Sequence, residues 1–138
     1  MRMKKRLEAV LVVCAALSLV LYFSGACLVQ QRLLLDLNGD GVQERILLVW
    51  KRGSYGMHHP SWVEHDETGL SQHLYIYEKR GDGRYHPIWM SSALGGRVLR
   101  MAEGEEIPGT GRRSIRLTDG DGRESRWGWL SWGLVRIN

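Results

Sequence analysis

The sequence predicts a mostly β protein: an N-terminal hydrophobic helix followed by a small antiparallel β domain, built as a sandwich, an open barrel or a partial propeller. Three observations carry that expectation. Residues 9–29 hold no charged side chain and follow a basic cluster, the pattern of one long apolar helix. Residues 30–138 alternate short apolar runs with glycine turns. No stretch after residue 32 repeats its apolar positions at the helical period.

At the N-terminus, Arg2, Lys4, Lys5 and Arg6 precede 21 uncharged positions, enough to span a bilayer. Basic residues on that side keep the N-terminus in the cytoplasm. Residues 1–29 thus read as a signal anchor or signal peptide forming a transmembrane helix, and residues 30–138 as an extracytoplasmic domain. The expected location is the cell membrane, single-pass, with contact through residues 9–29. The alternatives are a secreted protein, with Ser24 and Ala26 preceding a cleavage point, and a lipoprotein, with Gly25-Ala26-Cys27 as a lipobox-like signal and Cys27 as the candidate lipidation site.

The net charge of +4 belongs to this leader. Four of the 19 basic residues and one of the 15 acidic ones lie in residues 1–26, which leaves 15 basic against 14 acidic side chains. Without a basic stripe there is no footprint for nucleic acid. No cysteine follows Cys27, so the β domain has neither an internal disulfide nor a cysteine zinc site.

The strands follow in order. Residues 32–35 and 45–50 are short apolar runs flanking a loop. Residues 74–77 and 85–90 flank Arg80-Gly81-Asp82-Gly83 as a hairpin, and Pro87 assigns the second run to an edge or a bulge. A short strand is expected over 98–101, then a turn at Pro108-Gly109-Thr110-Gly111, with Glu105 and Glu106 in the glycine-rich turn region. Ile115 and Leu117 alternate with polar residues, as in a strand with one wet face. Residues 125–132 and 134–137 complete roughly seven to nine strands. Gly-Asp-Gly recurs at 39–41, 81–83 and 120–122, spacings of 42 and 39 residues, near the period of a propeller blade. About 110 residues make fewer than three blades, which argues against a closed monomeric propeller.

The chemistry concentrates in Asp36-Leu37-Asn38-Gly39-Asp40-Gly41-Val42-Gln43-Glu44. Asp36, Asn38 and Asp40 alternate, so their oxygens converge in a tight loop. Gly41 sits where the turn needs positive φ. The Val42 carbonyl and the Glu44 carboxylate close the far side. Five oxygen donors with water suit calcium, which takes ~6–8, better than magnesium. The position of the bidentate Glu of an EF-hand is occupied by Leu47, and the flanks read as strands, so affinity should be weak, on the order of 10⁻⁴–10⁻³ M. A plain hairpin turn is the competing reading of Asn38-Gly39-Asp40-Gly41. Over about 20 residues the loop and its flanks resemble the Asp-x-Asn-x-Asp-Gly-x-x-Glu calcium hairpin of FG-GAP and VCBS-type repeats, the blades of integrin-like propellers. That resemblance implies that Asp36, Asn38, Asp40, Val42 and Glu44 hold calcium.

Other candidates carry less. Residues 53–70 contain His58, His59, Glu64, His65, Asp66 and Glu67, with His73 beyond, but in no zinc spacing. All six tryptophans lie in the β domain, and Trp127 and Trp129 share one strand face as a candidate ligand platform. No nucleophile elbow, phosphate loop or dinucleotide fingerprint is present, so a non-enzyme is expected. The sequence therefore predicts a membrane-anchored, calcium-binding β domain acting as a structural or protein-interaction module at a cell surface, which the resemblance implies is bacterial. The alternative is a carbohydrate-binding module using its tryptophans.

Overall fold

Leu28 and Val29 end the uncharged segment in sequence but begin a strand in space. They pair with Trp50 and Val49, so the chain is extended where one continuous apolar helix was expected. The computed structural model describes residues 1–23, 27–53, 61–62, 64 and 69–138. In it α1 spans Arg2–Phe23. Eight strands follow: β1 (Leu28–Leu35), β2 (Glu44–Arg52), β3 (Leu70–Lys79), β4 (Tyr85–Met90), β5 (Val98–Glu106), β6 (Arg113–Asp119), β7 (Glu124–Leu130) and β8 (Gly133–Arg136).

The helix corrects the predicted location. Among the described residues no helix is long and apolar enough to cross a membrane. Arg2, Lys4, Lys5, Arg6 and Glu8 are part of α1 itself. Only residues 9–23 remain uncharged and helical, about 22 Å at 1.5 Å per residue, against ~30 Å of hydrocarbon. A single-pass anchor through residues 9–29 is therefore not supported. Ser24, Gly25 and Ala26, which carried the cleavage and lipobox readings, lie outside the described residues.

The strands form two four-stranded antiparallel sheets, ordered β1-β2-β3-β4 and β5-β6-β7-β8. Each is a simple meander, as expected when every strand is followed by a turn signal. Among the described residues neither sheet closes into a barrel. Pro87 lies on the edge strand β4, beside a register shift against Ile76 and Tyr77, where a missing N–H costs no ladder bond. β5 runs on through Glu105 and Glu106, which the sequence assigned to a turn region. The cause is pairing: Glu106 aligns with Arg113 after a bulge that begins at Glu103.

Alternation along the strands drives the core. Ile46 and Leu48 of β2, Leu74 and Ile76 of β3, Val98 and Met101 of β5, Ile115 and Leu117 of β6 and Leu134 of β8 are buried in one cluster. Leu35 and Leu37 join it at the first hairpin. Both sheets thus share a single hydrophobic cluster, the dominant stabilising term. One buried amide also ties them. Gln72 of β3 donates to Val98 O and accepts from Val98 N, both at 2.7 Å, so its side chain continues the backbone pairing of β5. Gln30 accepts a further bond from Gln72 Nε2 at 2.7 Å. A buried amide is tolerated only when bonded in this way.

Candidate metal site

The β1–β2 loop is built from its own turn chemistry. Gly39 and Gly41 take φ of 80° and 85°, conformations that cost glycine little and other residues much. Asp36 caps both: its Oδ1 accepts from Gly39 N and its Oδ2 from Gly41 N, each at 2.8 Å. Asp40 Oδ1 accepts from Val42 N at 2.7 Å and its Oδ2 from Asn38 Nδ2 at 3.1 Å. Asn38 Oδ1 accepts from Asp40 N at 3.0 Å. Glu44, the first residue of β2, turns inward, and its Oε2 accepts from Leu37 N at 2.7 Å.

Asp36, Asp40 and Glu44 converge, with one carboxylate oxygen from each lying within 4.8 Å of the others. Oxygens that all touch one calcium at ~2.3–2.6 Å are at most about 5 Å apart, and the three meet that bound. Asn38 joins the cluster through its bonds to Asp40. Val42 is half-exposed, and its amide is tied to Asp40. The environment of Glu44 is the unusual one. It is 2% exposed in a protein where buried carboxylates need a partner. Burial, and then the charges of Asp40 and Asp36, push its carboxyl above the usual range, while the Leu37 N–H pulls the other way. Three like charges held this close repel, and a bound cation would remove that repulsion.

The loop also reaches the second sheet. Arg113 N donates to Asp36 O at 3.1 Å. A side chain at Gly39 would meet Thr110 O at 3.3 Å and Arg112 Cγ at 3.4 Å. The Pro108–Gly111 turn thus packs directly on the acidic loop. Leu37, 1% exposed, anchors the loop into the core. Sequence reading marked the Pro108–Gly111 turn but not its contact with this loop, and gave Leu37 no role of its own; the alternation of Leu35 and Leu37 is the signal that could have marked Leu37 as buried.

The other Gly-Asp-Gly copies are hairpin tips. Asp82 accepts from Arg84 N and pairs with His86 at 2.9 Å. Asp119 Oδ1 accepts from Asp121 N and Arg123 N, both at 2.9 Å. Neither gathers three acidic groups among the described residues.

The remaining candidates divide. His73 is a core residue, fully buried, with Nδ1 donating to Ser91 O at 3.1 Å and Nε2 meeting Ser71 Oγ at 2.8 Å. Glu64 is exposed, and His58, His59, His65, Asp66 and Glu67 lie outside the described residues. Cys27 is a free, partly buried thiol just before β1. Trp127 and Trp129 do share a face of β7, but that face packs on the core and leaves both half-buried. Trp127 instead lines a cleft with Trp89, which sequence reading did not single out.

Compared with known proteins, the chain matches no family model, no curated protein and no solved structure. Nothing in those comparisons points to catalysis.

Proposed function

We propose that this chain is a small β-sandwich that binds one calcium ion at its first hairpin and uses it to hold the two sheets together as an interaction module. The observation that carries this reading is the convergence of Asp36, Asp40 and a buried Glu44 within 4.8 Å, in the order of an FG-GAP or VCBS-type hairpin. A plain turn has no need of a buried carboxylate, whose desolvation costs free energy. The sandwich reading is supported by the cluster shared between the sheets and by the Gln72–Val98 clamp. The ligands would be Asp36, Asn38, Asp40 and Glu44, with the Val42 carbonyl completing the set. Five hard oxygen donors favour calcium over magnesium, which keeps several of its waters.

The role follows from the contacts of the loop. Asp36 O holds Arg113, and Gly39 lies against the Pro108–Gly111 turn. A cation that stiffens the loop therefore stiffens the junction between the sheets. The test is thermal unfolding of the full chain with 10 mM calcium and with chelator. The expected result is a rise in melting temperature with calcium, abolished by Asp40→Ala. Identical curves for the wild type in both conditions would leave the loop as a turn.

A further inference from the structure

The β4–β5 linker roofs a cleft of about 560 Å³ at the end of the sheets opposite the acidic loop. The register places it there. β1 and β3 end where β2 and β4 begin, at the acidic end, while Met90, Val98, Asp119 and Glu124 all lie at the other end. The linker is fixed along β3: Ser91 N donates to Leu74 O and Leu94 N to Gln72 O, both at 2.9 Å. The volume falls within the ~300–1,000 Å³ usual for ligand pockets.

The lining combines two kinds of surface. Trp89 and Trp127 are half-buried against the core and contribute their indoles to the lining. The lining holds Asp119 and Glu124 together with Arg123 and Arg136, two charges of each sign. The Asp119 carboxylate is fixed by the β6–β7 turn. Trp127 Nε1 donates to Ser125 Oγ at 3.0 Å, which leaves the Ser125 hydroxyl proton for another acceptor. Among the described residues no hydrogen bond or ion pair holds the Arg123 guanidinium. An apolar occupant would strip water from four charges without replacing it. An anion or a cation would meet both signs. A neutral ring with an apolar C–H face and a rim of hydroxyls satisfies both surfaces: its face lies on the negative face of an indole, and its hydroxyls both donate and accept.

From this we infer that the cleft between Trp89 and Trp127 binds a neutral saccharide of one or two rings. The site is independent of the cation loop.

The test is ligand-detected NMR on the full chain with glucose, galactose, mannose, N-acetylglucosamine and cellobiose, followed by tryptophan-fluorescence titration of any binder. The expected result is saturable binding of at least one sugar. Arg123→Ala and Glu124→Gln, on the partly exposed β6–β7 hairpin, should each weaken it about tenfold, the value of a lost charge-assisted hydrogen bond, with the melting temperature unchanged. Trp127→Ala should abolish it, but that variant also loses core packing, so the two rim variants decide. Chelator and Glu44→Gln should leave sugar binding intact, whether or not the loop binds calcium. Absence of binding across the panel, binding indifferent to both rim variants, or displacement of the sugar by inorganic phosphate would each overturn the assignment.

Discussion

Glu44→Gln separates a cation ligand from a structural carboxylate, because the two roles predict opposite signs. Glu44 is buried and its carboxyl is pushed up, first by burial and then by Asp40 and Asp36. A carboxyl raised in the folded state is most favourable below its unfolded value near 4.5, and that contribution is lost as pH rises through the folded pKa. Without metal, the charge on Glu44 therefore costs stability as pH rises above 4.5. Glutamine keeps an oxygen for Leu37 N and removes the charge. In chelator at pH 7 the variant should melt at or above the wild type, and the gap should close as pH falls toward 4.5. Calcium, if held as proposed, should reverse the order. At 10 mM ion and a Kd on the order of 10⁻⁴–10⁻³ M, binding stabilises the wild type by about 1.4–2.7 kcal/mol. With roughly 2.1 cal/mol/K per residue over about 110 residues, that is about 6–12 °C, and the variant should show less than about a third of it. Calorimetry of both proteins in both conditions gives all four temperatures. A variant that melts well below the wild type in chelator would refute the reasoning, since ionised Glu44 would then be a stabilising structural group.

Two packing predictions test the frame around the site. Leu37→Ala should cost about 2–5 kcal/mol, because the side chain is 1% exposed and belongs to the shared cluster, and chemical denaturation reads it directly. Gly104→Ala should cost about 1–3 kcal/mol, since its Cβ would lie 2.3 Å from Ser114 Oγ, which already donates to Glu105 O. Adding Ser114→Ala should recover part of that loss, and strict additivity of the two changes would contradict the contact.

What the sequence by itself determined is local. The glycine turns, the alternation of Ile115 with Leu117, the edge position of Pro87 and the acidic order of the first loop all follow from the steric and hydrogen-bonding preferences of adjacent residues. They are legible without any partner. Residues 28–29 were misassigned because an uncharged stretch reads alike as helix or strand until Trp50 and Val49 arrive to pair with it. The same limit applied to the tryptophans. Adjacent placement on β7 put Trp127 with Trp129, whereas the fold put Trp127 with Trp89, 38 residues away in sequence. The acidic loop shows both halves. Its donors can be read in order from Asp36 to Glu44. Only the tertiary structure buried Glu44 and set the loop against the Pro108–Gly111 turn, because contact between the two sheets decides which side chains lose water.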